Sequence, residues 1–148
     1  MSNYKRTADW LSACGKEPNM ENVSVQIGCH IEEFVEFIKS LRIDSEGYSI
    51  LMQRTASDLE WFANKLKSKD QQVYIPIHMR VDALDALCDM EVTGNGVAYL
   101  SGFSKEAADE AVLASNEAKL VDGKPVILPG GKIGKPEGWK APNLRGFA

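Results

Sequence analysis

Residues 22–42 read NVSVQIGCHIEEFVEFIKSLR, and an α-helix is the regular structure that makes sense of their order. Val23, Ile27, Ile31, Phe34, Ile38 and Leu41 recur three or four apart, which aligns them in one apolar stripe. Residues 45–67 repeat the pattern through Ile50, Leu51, Leu59, Phe62 and Leu66, with Asp44 or Ser45 as the expected cap. Residues 80–100 do so through Val81, Leu84, Leu87, Cys88 and Val92. Residues 104–119 open with S-K-E-A, a capping signal, and then turn alanine-rich. A shorter helix over 7–14 stops at Gly15, with Pro18 beyond it. The connections are short: Ile43-Asp44, then 69–77 with its Pro76, then Gly102. Short links between amphipathic helices of similar length predict an all-α fold of the four-helix-bundle type with a short leading helix. The expected organisation is a single domain over 1–148, helical to 119, with a basic arm over 120–148. In that arm, Asp122-Gly123 and Pro129-Gly130-Gly131 flank the apolar run Val126-Ile127-Leu128, which predicts an extended arm or small β-hairpin.

Composition narrows the function classes. The chain has 148 residues, 44% of them hydrophobic, with 17 basic side chains against 21 acidic ones. That supports a sizeable core and excludes wholesale disorder. No apolar run approaches the roughly 20 residues needed to cross a bilayer, and no apolar segment follows the basic pair of MSNYKRTADW. Cys14, Cys29 and Cys88 are odd in number and widely spaced, so reduced thiols and a cytoplasmic location are expected. A net charge of −4 argues against general nucleic-acid affinity. The charge is uneven, however: residues 119–148 carry +4, which leaves −8 on the preceding 118. An acidic body with a basic tail can bind cations in one part and anions in the other.

The chemistry is concentrated in I-E-E-F-V-E-F, residues 31–37. Glu32, Glu33 and Glu36 fall within an arc of about 100° on a helix. Like charges stacked in this way weaken the helix unless something positive neutralises them. Gln26, Cys29 and His30 continue the same side one turn back. Residues 81–91, V-D-A-L-D-A-L-C-D-M-E, repeat the device: Asp82, Asp85 and Asp89 lie within an arc of about 60°. Aspartate is a mediocre mid-helix residue, so propensity does not explain three on one stripe. If the two helices face each other, up to six carboxylates converge, and such a cluster needs hard divalent cations, Mg²⁺ foremost. Mg²⁺ so held binds phosphate oxygens and lowers the pKa of a bound water. A carboxylate left off the metal can take that water's proton. The competing reading is a solvated acidic face.

These residues resemble a known family. E-E-x-x-E at Glu32–Glu36 and D-A-L-C-D at Asp85–Asp89 are similar to motifs of the all-α nucleotide pyrophosphohydrolases, the MazG-like and phosphoribosyl-ATP-pyrophosphohydrolase-like superfamily. S-N-E-A-K at Ser115–Lys119, then D-G-K-P-V and G-K-I-G-K-P, resemble the C-termini of phage and bacterial members. The resemblance spans roughly residues 25–144 and implies hydrolysis of a nucleoside triphosphate to the monophosphate and pyrophosphate with Mg²⁺, for which Mn²⁺ can substitute. It implies Glu33, Glu36 and Asp89 as metal ligands and Glu32 as a ligand or the water-activating base, so that Glu32 and Glu33 are the catalytic candidates. Asn116 and Lys119 would hold phosphates or ribose, with Lys132 or Lys135 completing a lid. Many relatives carry E-x-x-D where this chain has Ala86 three residues before Asp89; Asp85, four before, is the expected replacement ligand, with Asp82 the alternative. Relatives assemble as dimers or tetramers with sites completed by two chains, so a homodimer or homotetramer is expected. A purine deoxynucleotide, dGTP or dATP, is favoured over dUTP or dCTP, and a non-catalytic helical scaffold is the rival of another class.

Among single residues, Trp10 is the tryptophan best placed to meet a base, because it lies outside the long stripes. Trp61, beside Phe62, is expected in a core or interface. His30 and Gln26 can hydrogen-bond a carboxylate or a base edge. A zinc site from Cys29, His30, His78 and Cys88 has the wrong spacing, since adjacent helical residues diverge by about 100°.

Overall fold

The computed structural model describes residues 1–128 and 133–148 and shows an all-α protein with a small antiparallel hairpin. Among the described residues the helices are α1 (Asn3–Ala13), α2 (Met20–Ser40), α3 (Glu46–Lys67), α4 (Arg80–Leu100) and α5 (Lys105–Glu117). The hairpin pairs β1 (Leu120–Val121) with β2 (Lys124–Pro125). No helix among the described residues is long and apolar enough to cross a membrane. The expected Pro129-Gly130-Gly131 turn and Lys132 lie outside the described residues. The chain divides into two compact units, 18–76 and a second made of 1–17 with 77–148.

In the unit 18–76, α2 starts two residues before the expected residue 22, because the Asn19 side chain accepts the Asn22 N–H at 2.8 Å. It ends where Leu41 turns extended, and the Arg42 guanidinium donates to the Lys39 and Leu41 carbonyls at 2.9 and 2.6 Å. Ser45 occupies the N-cap position of α3, but its side chain makes no cap hydrogen bond. Helices α2 and α3 run antiparallel, as their cross-links show: Lys39 to Glu60, Lys67 to Glu32, and Ser24 to Val73. Buried Ser24 both accepts the Val73 N–H (2.8 Å) and donates to its carbonyl (3.0 Å), tying the connection after α3 to α2.

The buried side of this helical hairpin corrects the sequence reading. Ser24, Gly28, Val35, Ala56, Ala63 and Leu66 are buried, whereas Phe34, Ile50, Leu51 and Trp61 are exposed, Trp61 at 65%. Small residues set the contact because they let the two backbones approach closely. The stripes are wider than one partner helix can cover, so Leu66 is buried while Ile27, Ile31, Ile38 and Leu59 are half-buried and Phe34, Ile50 and Leu51 remain outside. Trp61 is therefore not a core residue of the chain.

In the other unit, α1 begins at Asn3 with the Ser2 hydroxyl accepting the Lys5 N–H at 3.3 Å. It closes at Gly15, whose φ of +70° needs no Cβ, with Lys16 N–H reaching the Leu11 carbonyl at 2.9 Å. Arg6 fixes α1 to α5 by a two-pronged bond to Glu117 (2.7 and 2.8 Å) and a further ion pair with Glu110. The expected Ser104 side-chain cap is not formed; the Ser104 N–H instead donates to the Phe147 carbonyl at 2.8 Å. At the other end of α5, Trp139 Nε1 donates to the Ser115 carbonyl at 2.8 Å and Ser115 Oγ to the Lys140 carbonyl at 3.3 Å. The tail thus runs back along α5 as a strap. Asp122 and Gly123 both take positive φ, 50° and 73°, which is the type I′ turn that a two-residue hairpin needs. Ile127 pairs with Ile133 beyond it.

Helix α4 departs furthest from expectation. Its stripe residues Val81, Leu84, Leu87 and Val92 are all exposed, and of the whole helix only Ala98 is buried.

Candidate functional site

On α2, Glu32, Glu33 and Glu36 share one side of the helix, as the spacing predicts, yet their surroundings differ. Lys67, at the end of α3, donates its ammonium to Glu32 Oε1. Glu33 and Glu36 are exposed and make no ion pair among the described residues. Partial burial of its carboxyl, then the neighbouring charges of Glu36 and Glu32, hold Glu33 above the ordinary glutamate range, although the residue as a whole is exposed; Lys67 and His30 oppose the shift. His30 and Gln26 are exposed on the same helix. Between α2 and α3 lies a groove of about 240 Å³ lined by Glu32, Glu36, Lys39, Glu60, Asn64 and Lys67.

Lys67 reaches Glu32 because of Gly28, one turn earlier on α2. A Cβ at Gly28 would lie 2.9 Å from the Ala63 carbonyl oxygen and 3.0 Å from both Leu66 Cβ and Lys67 Cγ. The missing side chain lets α3 close in, and the lysine stem lies in the space. The sequence reading missed Lys67. Its only signal is a basic residue in a last helical turn, which is ordinary complementation of the helix dipole.

On α4, Asp82, Asp85 and Asp89 are exposed, and none makes an ion pair among the described residues. The Thr93 hydroxyl donates to the Asp89 carbonyl at 2.8 Å, a local backbone contact that leaves the carboxylate unengaged. Carboxylate oxygens are the donors a hard divalent cation takes, so Glu33 and Glu36 suit Mg²⁺ chemically. Among the described residues no group of three or more His, Cys, Asp or Glu is placed to hold a metal ion, so the α2 pair alone does not complete a site.

In the unit 1–17 with 77–148, four of the residues expected at the substrate come together: Trp10, Asn116, Lys119 and Lys135. The Lys119 ammonium lies 5.8 Å from the Trp10 ring centroid and 5.5 Å from that of Trp139, and it donates to Asn116 Oδ1 at 2.8 Å. The Lys135 ammonium lies 4.5 Å over the same Trp139 ring. Both are within the range of cation–π attraction. Trp10 Nε1 is buried without a hydrogen-bond partner among the described residues. Burial pushes the nearby Cys14 thiol up, against the opposing charges of Lys16 and Lys119. Glu117 is held below the usual carboxylate range by its hydrogen bonds from Arg6. The second residue the sequence reading undervalued is Trp139, whose indole carries both lysines; a tryptophan four residues after a lysine in a loop has no periodicity to reveal this. Compared with known proteins, the chain matches no family model, no curated protein and no solved structure.

Proposed function

We propose that the chain is a Mg²⁺-dependent nucleotide pyrophosphohydrolase of the MazG-like kind, converting a deoxynucleoside triphosphate, with dGTP or dATP favoured, to the monophosphate and pyrophosphate. The observation that carries the reading is the uneven neutralisation of the α2 glutamates. Three carboxylates crowd one turn, a lysine satisfies one, and two remain exposed without a counter-ion among the described residues. A divalent cation is the partner that relieves such a pair. In this reading Glu33 and Glu36 hold the cation, and Asp85 and Asp89 are the further candidate ligands. When bound, Mg²⁺ draws phosphate oxygens together and makes a bound water more acidic. Trp10, Asn116, Lys119 and Lys135 receive the anionic substrate, the lysines offsetting charge on the leaving pyrophosphate.

One further feature supports the reading: Val81, Leu84, Leu87 and Val92 of α4 are exposed, apolar side chains suited to an interface with a second copy.

A panel of ribo- and deoxynucleoside triphosphates with Mg²⁺, read by product identity, tests the proposal. Monophosphate plus pyrophosphate is expected, with turnover abolished in Glu36→Gln and in Asp89→Asn. Preference for dUTP or dCTP would move the substrate and keep the chemistry. No turnover across the panel, with thermal stability indifferent to Mg²⁺, would leave a helical scaffold with a solvated acidic face.

A further inference from the structure

We propose that Trp139 is a positioning residue: its indole gathers Lys119 and Lys135 into a pair of ammoniums that meets two neighbouring phosphates of one ligand at once. The assignment rests on the pyrophosphohydrolase reading above for the phosphates, and gives a role to a residue that no motif or charge pattern in the sequence marks.

The two lysines come from separate parts of the chain, one just after α5 and the other in the returning tail. No helical or strand register keeps them together. What they share is one ring: the Lys119 ammonium lies 5.5 Å from the Trp139 centroid and the Lys135 ammonium 4.5 Å. Cations are drawn to an aromatic face, and tryptophan offers the strongest attraction of the three aromatic side chains. The ring is neutral, so it collects the two positive charges without cancelling them. Lys135 is exposed and makes no ion pair with a carboxylate among the described residues. A ligand carrying two adjacent anionic groups relieves the repulsion between the ammoniums, and a single anionic group does so less well.

The indole is itself held in place. Trp139 Nε1 donates to the Ser115 carbonyl at 2.8 Å, and Ser115 Oγ donates to the Lys140 carbonyl at 3.3 Å, so ring and backbone are both tied to α5. Just before it, the chain reverses over Pro136–Trp139. The Trp139 N–H donates to the Pro136 carbonyl at 3.1 Å, and Gly138 takes the φ of +76° that such a turn requires. On the other side of Lys135, the Gly134 N–H donates to the Val126 carbonyl at 2.6 Å. Lys135 therefore springs from backbone fixed on both sides. Lys119 is seated as well, donating to Asn116 Oδ1 at 2.8 Å and lying 5.8 Å from the Trp10 centroid. A lysine side chain loses much rotamer freedom when it is ordered, and ordering it before the ligand arrives removes that penalty from binding. Trp139 acts through the lysines and needs no contact with the phosphates.

The test titrates inorganic pyrophosphate, and separately inorganic phosphate, into the full chain with Mg²⁺ present, followed by isothermal calorimetry, with steady-state nucleotide hydrolysis measured beside it. Wild type is expected to bind pyrophosphate roughly tenfold or more tighter than phosphate. Trp139→Leu removes the aromatic face; it should weaken pyrophosphate and raise KM roughly tenfold while kcat changes far less, because the lysines meet the phosphates before and during the reaction alike. Trp139→Phe keeps a face and should recover most of that affinity, although it loses the bond to Ser115. Lys135→Met should weaken pyrophosphate at least as much as Trp139→Leu. A Trp139→Leu protein that melts earlier but keeps wild-type affinity and KM would overturn the assignment, as the signature of a purely structural tryptophan. Trp139→Phe losing as much affinity as Trp139→Leu would also overturn it, since the indole N–H and not the face would then be what matters. Should Trp139→Leu fail to fold, Lys135→Met decides: unchanged pyrophosphate affinity there rejects the lysine pair. A wild-type chain that binds no pyrophosphate and turns over no nucleotide would sink the underlying reading as well, whereas normal wild-type turnover with the wrong variant pattern would sink this assignment alone.

Discussion

A methyl group added at Gly28 would press on the Ala63 carbonyl, on Leu66 and on the stem of Lys67 at once, with separations of 2.9 to 3.0 Å. Two of those neighbours are buried and one is backbone, so relief requires α2 and α3 to part. Gly28→Ala is therefore expected to cost about 1–3 kcal/mol in urea unfolding, despite its gain in helix propensity. The raised carboxyl of Glu33 gives a second prediction at this scale. A glutamate whose folded-state pKa lies above its unfolded value favours the fold while protonated, and that contribution is lost as pH rises through the folded-state pKa. Without metal, Glu33→Gln should accordingly raise the melting temperature at pH 7 and leave it nearly unchanged at pH 4. The gain should be on the order of a few tenths of a kcal/mol, as for exposed like-charge helix pairs. Both effects trace to residues whose types are plain in the sequence and whose partners are not. The spacing of Glu32, Glu33 and Glu36 exposes their mutual repulsion, but nothing in a linear pattern links position 32 to position 67.

Helical elements were legible to within a few residues because periodicity is a local property. Helices α3 and α4 begin and end within one residue of their expected bounds, and α2 differs where Asn19, outside the apolar stripe, supplies the cap. Burial was not legible, because it depends on what covers each stripe. Small residues and the expected Leu66 meet between α2 and α3, while Phe34, Ile50 and Leu51, also expected there, stay exposed. The tail's first turn signal is legible and is the type I′ hairpin at Asp122-Gly123; its return along α5 rests on Trp139 and on a backbone bond from Ser104 to Phe147, neither of which has a sequence period. Trp139→Phe removes the N–H bonded to the Ser115 carbonyl while keeping an aromatic face for the lysines, and should cost about 1 kcal/mol in chemical unfolding. Arg6→Met tests the link between α1 and α5. The lowered pKa of Glu117 means that this link stabilises the fold above the ordinary glutamate range and is lost as pH falls through the depressed value. The variant's melting temperature should lie below wild type at pH 7, with the gap narrowing as pH falls below the ordinary glutamate range.

For the whole molecule, the proposed assembly and the proposed chemistry stand together. The apolar residues exposed along α4 lead to the expectation that the chain sediments as a dimer or tetramer. Leu84→Asp or Val92→Lys should dissociate it in analytical ultracentrifugation. The charge asymmetry seen in the sequence has a local counterpart: exposed carboxylates on α2 and α4, and lysines gathered on tryptophans beside α5. A central claim, that cations collect on the carboxylates of α2, is tested most directly by a crystal grown with Mn²⁺ and a non-hydrolysable deoxynucleoside triphosphate, with the metal located by anomalous scattering. An anomalous peak is expected about 2 Å from oxygens of both Glu33 and Glu36, in contact with the phosphates. Mn²⁺ bound elsewhere, with Glu33 and Glu36 facing only water, would contradict it.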